Sequence, residues 1–391
     1  MRIAHIAPPW FPIPPKNYGG TENVIFQLVE EQVAQGHSVT LFAPEDAKTS
    51  AQQVSFLPRA LRECDIPWQS HPKAFYHSYK SIEHLQKHSR EFDILHTHLS
   101  SLTDLYTFPL TSTLPIPHVA TLHSQFPFDR DDPTETNADD YYMEWISQVP
   151  MVTISHHAKR EEMRKARLRV IDVIYHGINL NNFPTPQNTA ENFFVWLGRL
   201  VPEKGAHLAI EAAQKAGVPL VIAGIVDEYV PEAEEYFENE IKPHLSERLI
   251  SFIGPVDFEQ RNALFRKARG MLNPLQWEEP FGMVMIEAMA TGCPVIAFPR
   301  GAAEEIITSE KVGCLANDVA EMVKCIRKID DINRQDVRAY IEKHFSAKVM
   351  VENYIRVYQK VIAQQQSSYL LPLKMDIPTN GSKKISSPLL P

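Results

Sequence analysis

Residues 184–205, PTPQNTAENFFVWLGRLVPEKG, decide how this chain is organised. Residues 184–192 are polar and proline-bearing, the composition of a linker. Phe193–Leu197 then forms a short apolar run ending on Gly198, which reads as a buried strand. The same pattern has already run through the first half. Arg2–Ala7, Ser38–Ala43, Phe92–His96, His118–Leu122, Met151–Ile154 and Val170–Tyr175 are strand-like runs, and Glu22–Gln35 is an amphipathic helix closed by Gly36. Downstream, Pro219–Ala223, Leu249–Ile253, Gly270–Asn273 and Pro294–Ala297 alternate with helical patterns at 204–216, 231–242, 258–268 and 282–291. Apolar strands separated by helices imply parallel sheets covered on both faces. The expected fold is α/β, with two tandem Rossmann-like doubly wound domains divided near residue 184 and a cleft between their carboxyl edges. Helices at 318–328, 335–344 and 346–364 follow, and 365–391 reads as a flexible tail.

A length of 391 residues suits two such domains. The formal charge of −9 is spread over both halves, so neither is a basic nucleic-acid module. No run of apolar residues is long enough to span a membrane, and the N-terminus enters a strand directly, so a cytoplasmic protein is expected. Cys64, Cys293, Cys314 and Cys325 show neither CxxC pairing nor ligand spacing and read as free thiols in a reducing compartment. GxGxxG and GxxxxGK[ST] are both absent, which disfavours a nicotinamide dehydrogenase or a P-loop nucleotidase.

Three segments carry chemistry. In residues 273–301, NPLQWEEPFGMVMIEAMATGCPVIAFPRG, Glu279 stands before a helix that begins around Pro280–Gly282, and Glu287 lies two turns in. The free amides of Phe281, Gly282 and Met283 form a seat for phosphate, flanked by two carboxylates suited to accept hydroxyls. The bland alternative makes Glu279 a cap and Glu287 a solvated charge. Next, Arg199 and Lys204 at the carboxyl edge of the second domain's first strand suit a diphosphate. Lys204 near a helix start is electrostatically misplaced without an anion beside it. Third, Gly19–Gly20 end a proline-rich loop and open a helix, which permits close approach to a ligand.

Histidines cluster in the first half, 13 of 16 before residue 185. His96, His98 and His123 are each read as following a strand and facing the cleft, with His123 the best candidate to touch substrate and satisfied structural histidine the alternative for His96 and His98. His96 and His98 lack a carboxylate or cysteine at ligand spacing, and Asp129-Arg-Asp131 reads as an acidic loop, so no metal is expected. His156, His157 and His176 have weaker claims. The aromatics of 124–145 suggest a sugar or polyol acceptor, and the basic run Lys159–Arg169 reads as a solvated helix face, with weak peripheral contact with anionic lipid the alternative.

The stretch EEPFGMVMIEAMATGCPVIA, with Glu279 and Glu287 eight apart, taken with LGRLVPEKG, resembles the retaining family 4 glycosyltransferases of GT-B architecture. The similarity extends over residues 1–363 through the GG loop, DILHTH, VATLH, VIYHGINLNNF and FIGPVD, the last containing Gly254. It implies a donor-binding C-terminal domain (185–345), an acceptor-binding N-terminal domain (1–184) and a helix at 346–364 crossing back. Catalysis would fall to His123, Glu279, Arg199 and Lys204. The substrates would be bound by Gly19, Gly20, Arg199, Lys204, Gly254, Glu279, Phe281, Gly282, Met283 and Glu287, with Glu287 on the ribose of the donor. The partners implied are a nucleoside-diphosphate sugar as co-substrate and a hydroxyl acceptor, with no metal or other cofactor. YHGIN at 175–179 departs from the family's usual PNGVD-like segment, so the resemblance does not assign the roles of His176 and Asn179. The alternatives are a phosphate-dependent phosphorylase on the same fold and a non-catalytic sugar- or nucleotide-binding protein.

Overall fold

The computed structural model describes residues 1–370 except 17–18, 67–70, 102–103, 105–106, 112, 125–148, 166–167, 188, 227–230 and 247. The acceptor-directed aromatics, the Asp129–Asp131 loop and residues 371–391 of the tail lie outside the described residues.

Two all-parallel sheets form. The first contains β1 (Arg2–Ile6), β2 (Ser38–Phe42), β3 (Gln52–Val54), β4 (Ile94–Leu99), β5 (His118–Leu122), β6 (Met151–Thr153) and β7 (Val170–Val173), in the order β3-β2-β1-β4-β5-β6-β7. The second contains β8 (Phe194–Arg199), β9 (Leu220–Ile225), β10 (Ile250–Phe252), β11 (Gly270–Asn273), β12 (Val295–Ala297) and β13 (Gly313–Leu315), in the order β10-β9-β8-β11-β12-β13. In each sheet the order reverses beside the first strand, the switch point where doubly wound folds bind ligands. Two Rossmann-like domains are therefore present. β3 and β13 are three-residue edge strands without an apolar signature, and the sequence reading missed both.

β4 differs from expectation by a useful margin. It runs to Leu99 instead of ending at His96, so His96 and His98 lie within the strand, 0% and 3% exposed. They are core residues and not cleft-facing groups beyond a strand end. The period of two puts both on one face, and β1 pairs in register with His5 opposite His96.

The last helix, Ala347–Leu370, returns to the first sheet. Met350, Val351, Tyr354, Val357 and Tyr358 pack with Ile3, Val24, Leu28, Ile94 and Val119. Gly177 permits the crossing, since a Cβ there would sit 2.4 Å from the Ser346 carbonyl oxygen. The helix extends six residues beyond the expected end at 364, so the first part of the supposed tail is helical.

The expectation of four free thiols is also corrected. Cys314 on β13 and Cys325 on helix Val319–Lys328 are joined as a disulfide, while Cys64 and Cys293 are free. The tight strand-to-helix connection brings the two α-carbons to 6.0 Å, a proximity that no spacing rule announces. Among the described residues no helix is long and apolar enough to cross a membrane. The basic run begins as helix His156–Lys165, with the side chains of 162–167 outside the described set.

Candidate active site

The second domain contributes a braced cation. After β8 the chain makes a short turn, Pro202–Lys204, and closes on Gly205 with φ 74°. Any Cβ at Gly205 would lie 2.0 Å from the Pro274 carbonyl oxygen, so this glycine is sterically required. The Trp196 indole donates to the Lys204 carbonyl at 3.2 Å, which holds the turn against the strand. Lys204 Nζ then donates to Glu279 Oε2 at 2.7 Å and lies 4.3 Å from the centroid of the Trp277 ring, whose Nε1 donates to the same carboxylate oxygen at 3.1 Å. Both side chains are mostly buried, 20% and 17% exposed. The anion required beside Lys204 is therefore supplied by the protein itself. Arg199, the last residue of β8, stands on the same carboxyl edge.

Glu279 is fixed through its backbone. The Ala302 amide donates to its carbonyl at 2.9 Å, and Gly301 packs so closely that a Cβ would lie 2.1 Å from that oxygen. Phe281 is buried, and Gly282, with φ 102°, precedes the eight-residue helix Met283–Ala290. The helix begins at Met283 and not at Pro280, so the expected amide seat spans the cap and the first residue. Glu287 is not a solvated charge: it is buried and ion-paired with Arg261 at 3.0 Å. Burial pushes its pKa up, opposed by Arg261. The sequence reading missed Arg261, which sits in an ordinary amphipathic helix, Phe258–Lys267. Gly254 turns with φ 74° after β10, and its carbonyl accepts from the Gly224 amide at 2.9 Å.

The first domain meets this loop through stacked rings. His123, just past β5, is 8% exposed and stacks on His176 at 5.2 Å between centroids, and His176 meets Phe281 edge-on at 4.9 Å. His176 thus joins the two domains, a role its YHGIN context did not reveal. Two further bonds cross here. Ser155 Oγ donates to the Pro280 carbonyl at 2.7 Å, and Glu305 accepts from the amides of His156 and His157 at 2.8 and 2.6 Å and from the Tyr175 hydroxyl at 2.9 Å. Glu305 therefore caps helix His156–Lys165 from the other domain, and sequence alone carries no signal for it.

At the N-terminal loop, Gly19 has φ 147° and is crowded by Pro15, with a Cβ 2.8 Å from the proline Cβ. Gly20 starts helix Gly20–Ala34 in open space, so only the first glycine of the pair is demanded by the protein's own packing. Glu22, missed as a site residue, is buried in the first turn of this helix, and desolvation pushes its carboxyl up to about 8. Asp104 is likewise raised by burial to about 6, although it accepts from the Ser100 and Ser101 amides.

Ring nitrogens of His5, His96 and His98 lie within 4.8 Å of one another, close enough to hold a metal. Each is already committed within the protein. His5 bonds Gln32 and His98, His98 bonds His5 and His123, and His96 bonds Tyr358 and Thr121. A metal ion held by one nitrogen of each ring would replace the His5–His98 bond and one of the two bonds at His96.

Two family models tile this chain: the one described as Glycosyltransferase Family 4 matches residues 18–182, and the one described as Glycosyl transferases group 1 matches residues 178–344. The chain belongs to the family 4 glycosyltransferases. Among its curated relatives is the phosphatidyl-myo-inositol mannosyltransferase of Mycobacterium leprae, 26% identical over 392 residues, covering 92% of this glycosyltransferase and 97% of the relative. In structure it is similar to sucrose-phosphate synthase from Thermosynechococcus elongatus, with a TM-score of 0.71 and 19% identity over 93% of this chain and 100% of that one. It is also similar to Anabaena HepE in complex with UDP and glucose, with a TM-score of 0.67 and 18% identity over 92% and 99% of the two chains.

Proposed function

We propose that this glycosyltransferase moves a hexose, with retention, from a nucleoside-diphosphate sugar of the UDP-glucose or GDP-mannose type to a hydroxyl acceptor, without a resident metal. The observation that carries the reading is the Lys204–Glu279 pair, 2.7 Å apart beside the Gly282 helix start. It sets a cation for the diphosphate next to a carboxylate for the sugar. A mannosyltransferase among the relatives and a UDP- and glucose-bound structural neighbour support the donor class.

The difficult step is departure of the nucleoside diphosphate from the anomeric carbon, which leaves an oxocarbenium-like sugar. Arg199, Lys204 and the amides at 281–283 stabilise the developing negative charge, and removal of one such donor costs about 2.7–4 kcal/mol of barrier. Glu279 and His123 orient the sugar, and Glu287 faces the ribose. The acceptor attacks on the face the diphosphate leaves, and the departing phosphate takes the acceptor proton, so no protein nucleophile is needed.

Thermal unfolding with UDP, GDP, ADP and TDP, beside Glu287→Ala, tests the donor. A ligand at 100 times its Kd stabilises by about 2.7 kcal/mol, a rise of a few degrees. The expected result is that one nucleotide shifts the wild type and the shift is lost in the variant. If inorganic phosphate shifts it and no nucleotide does, phosphorolysis replaces this reading. The anomeric configuration of the product, read by proton NMR, decides retention.

A further inference from the structure

Helix Gly20–Ala34, β1, β4 and β5 together build a hydrogen-bonded chain through the core of the first domain. Gln32 Oε1 lies 2.8 Å from His5 Nε2, His5 Nδ1 lies 3.0 Å from His98 Nε2, and His98 Nδ1 lies 3.0 Å from His123 Nε2. Three of these residues, Gln32, His5 and His98, touch nothing in the cleft and have no part in the chemistry described above. Burial lowers the pKa of all three histidines, His5 to about 4 and His123 to about 3, so each ring is neutral near pH 7 and carries a single N–H.

Neutral imidazoles bonded end to end must all point their protons the same way, and the far end sets the direction. Gln32 Oε1 can only accept, so His5 Nε2 holds the proton and His5 Nδ1 is bare. His98 must then donate from Nε2, leaving its own Nδ1 bare to accept from His123 Nε2–H. His123 Nδ1 is left as a lone pair. It is buried without a hydrogen-bond partner among the described residues, at the end of the chain nearest the interdomain stack.

The other end of Gln32 supports this direction. Its Nε2 lies 3.2 Å from the Tyr358 hydroxyl, while that hydroxyl lies 2.7 Å from His96 Nδ1. Hydroxyl donors make the shorter bonds and amide donors the longer ones, so Tyr358 donates to His96 and receives from Gln32. Reversal would require the Gln32 amide to turn over and Tyr358, His96 and Thr121 to turn with it.

We propose that Gln32, His5 and His98 are positioning residues that hold His123 in the Nε2–H tautomer, so that Nδ1, buried beside His176 in the absence of ligand, is the hydrogen-bond acceptor for a sugar hydroxyl when the donor binds. The inference rests on the reading of His123 as a sugar contact, while the tautomer itself can be measured without substrate.

Ring-nitrogen chemical shifts of the full-length protein, labelled with ¹⁵N-histidine and assigned by comparison with His123→Ala, report the tautomer directly. The expected spectrum has Nδ1 bare and Nε2 protonated at His123. A protonated Nδ1 overturns the proposal. Gln32→Met removes the anchor at similar volume and is expected to give a mixture of both tautomers. Release of nucleoside diphosphate from UDP-glucose or GDP-mannose, whichever is turned over, should then slow in kcat by about tenfold or more with KM little changed. If the variant is folded by its melting curve and leaves both tautomer and kcat unmoved, the proposal fails. Should Gln32→Met not fold, the wild-type spectrum alone decides. Should His123→Ala retain full turnover, the sugar contact fails, and the positioning role proposed here falls with it even if the tautomer is as assigned.

Discussion

Lys204 is held by its neighbours before any donor arrives. Its partner Glu279 lies 75 positions away and its ring partner Trp277 stacks beneath it, so the cation is pre-oriented and largely desolvated. The diphosphate reads this cation most strongly as negative charge develops. Lys204→Ala is therefore expected to lower kcat/KM by about 10²–10³-fold, as is Arg199→Ala. Steady-state kinetics check this, and turnover within about threefold of wild type in both variants would sink the mechanism. Gly205→Ala tests the brace and not the charge. With φ 74° and a Cβ 2.0 Å from the Pro274 oxygen, it should cost more than about 1 kcal/mol, read as a fall in the urea midpoint.

Among elements, helix His156–Lys165 is unusual in taking its N-terminal cap from the opposite domain. The Glu305 carboxylate receives the His156 and His157 amides and also the Tyr175 hydroxyl. Loss of a capping side chain costs about 0.5–2 kcal/mol. Glu305→Ala should therefore lower the melting temperature by a few degrees and speed amide exchange at His156 and His157. Exchange that spreads no further would place the effect in the cap. Exchange that also rises across residues 278–282 would show that the cap helps hold the two domains together.

Across the whole molecule, six buried histidines, His5, His77, His96, His98, His123 and His176, and the partly buried His118 have pKa values pushed below the ordinary range by desolvation. The unfolded chain protonates each near pH 6.5, whereas the folded chain resists until about pH 4 for His5 and His77 and about pH 3 for His118 and His123. Within that window the unfolded state binds more protons, so stability is intact above pH 6.5 and falls as pH drops. Each histidine contributes a slope of up to about 1.4 kcal/mol per pH unit. Glu22 and Asp104 act in the opposite sense, because their raised folded values of about 8 and about 6 make burial cheaper as pH falls toward the unfolded carboxylate range. Glu287, also raised by burial, acts with them, and seven groups outweigh three. Denaturant unfolding between pH 7.5 and 5 should show stability declining steeply below pH 6.5, and a flat profile would contradict neutral burial of the cluster.

Much of this was legible in sequence because it is local. Strand and helix periods, the restart after residue 192, the cation pair of LGRLVPEKG and the two carboxylates of EEPFGMVMIEAM all reside in short windows. The edge strands β3 and β13 were not legible, since three residues, QQV in one and GCL in the other, are too few to carry an apolar period. Nor were the partners. Glu279 meeting Lys204, Glu287 meeting Arg261, Cys314 meeting Cys325 and the line from Gln32 to His123 join residues from different elements. By itself the sequence determined the two parallel-sheet domains and the place of Arg199 and His123 at strand ends, though not that of His96 and His98, which lie inside β4. Only the tertiary structure decided which charges compensate one another and that the first-half histidines form a buried chain. Those outcomes depend on register between β1 and β4 and on the docking of helix Ala347–Leu370, which set distances that spacing along the chain does not encode.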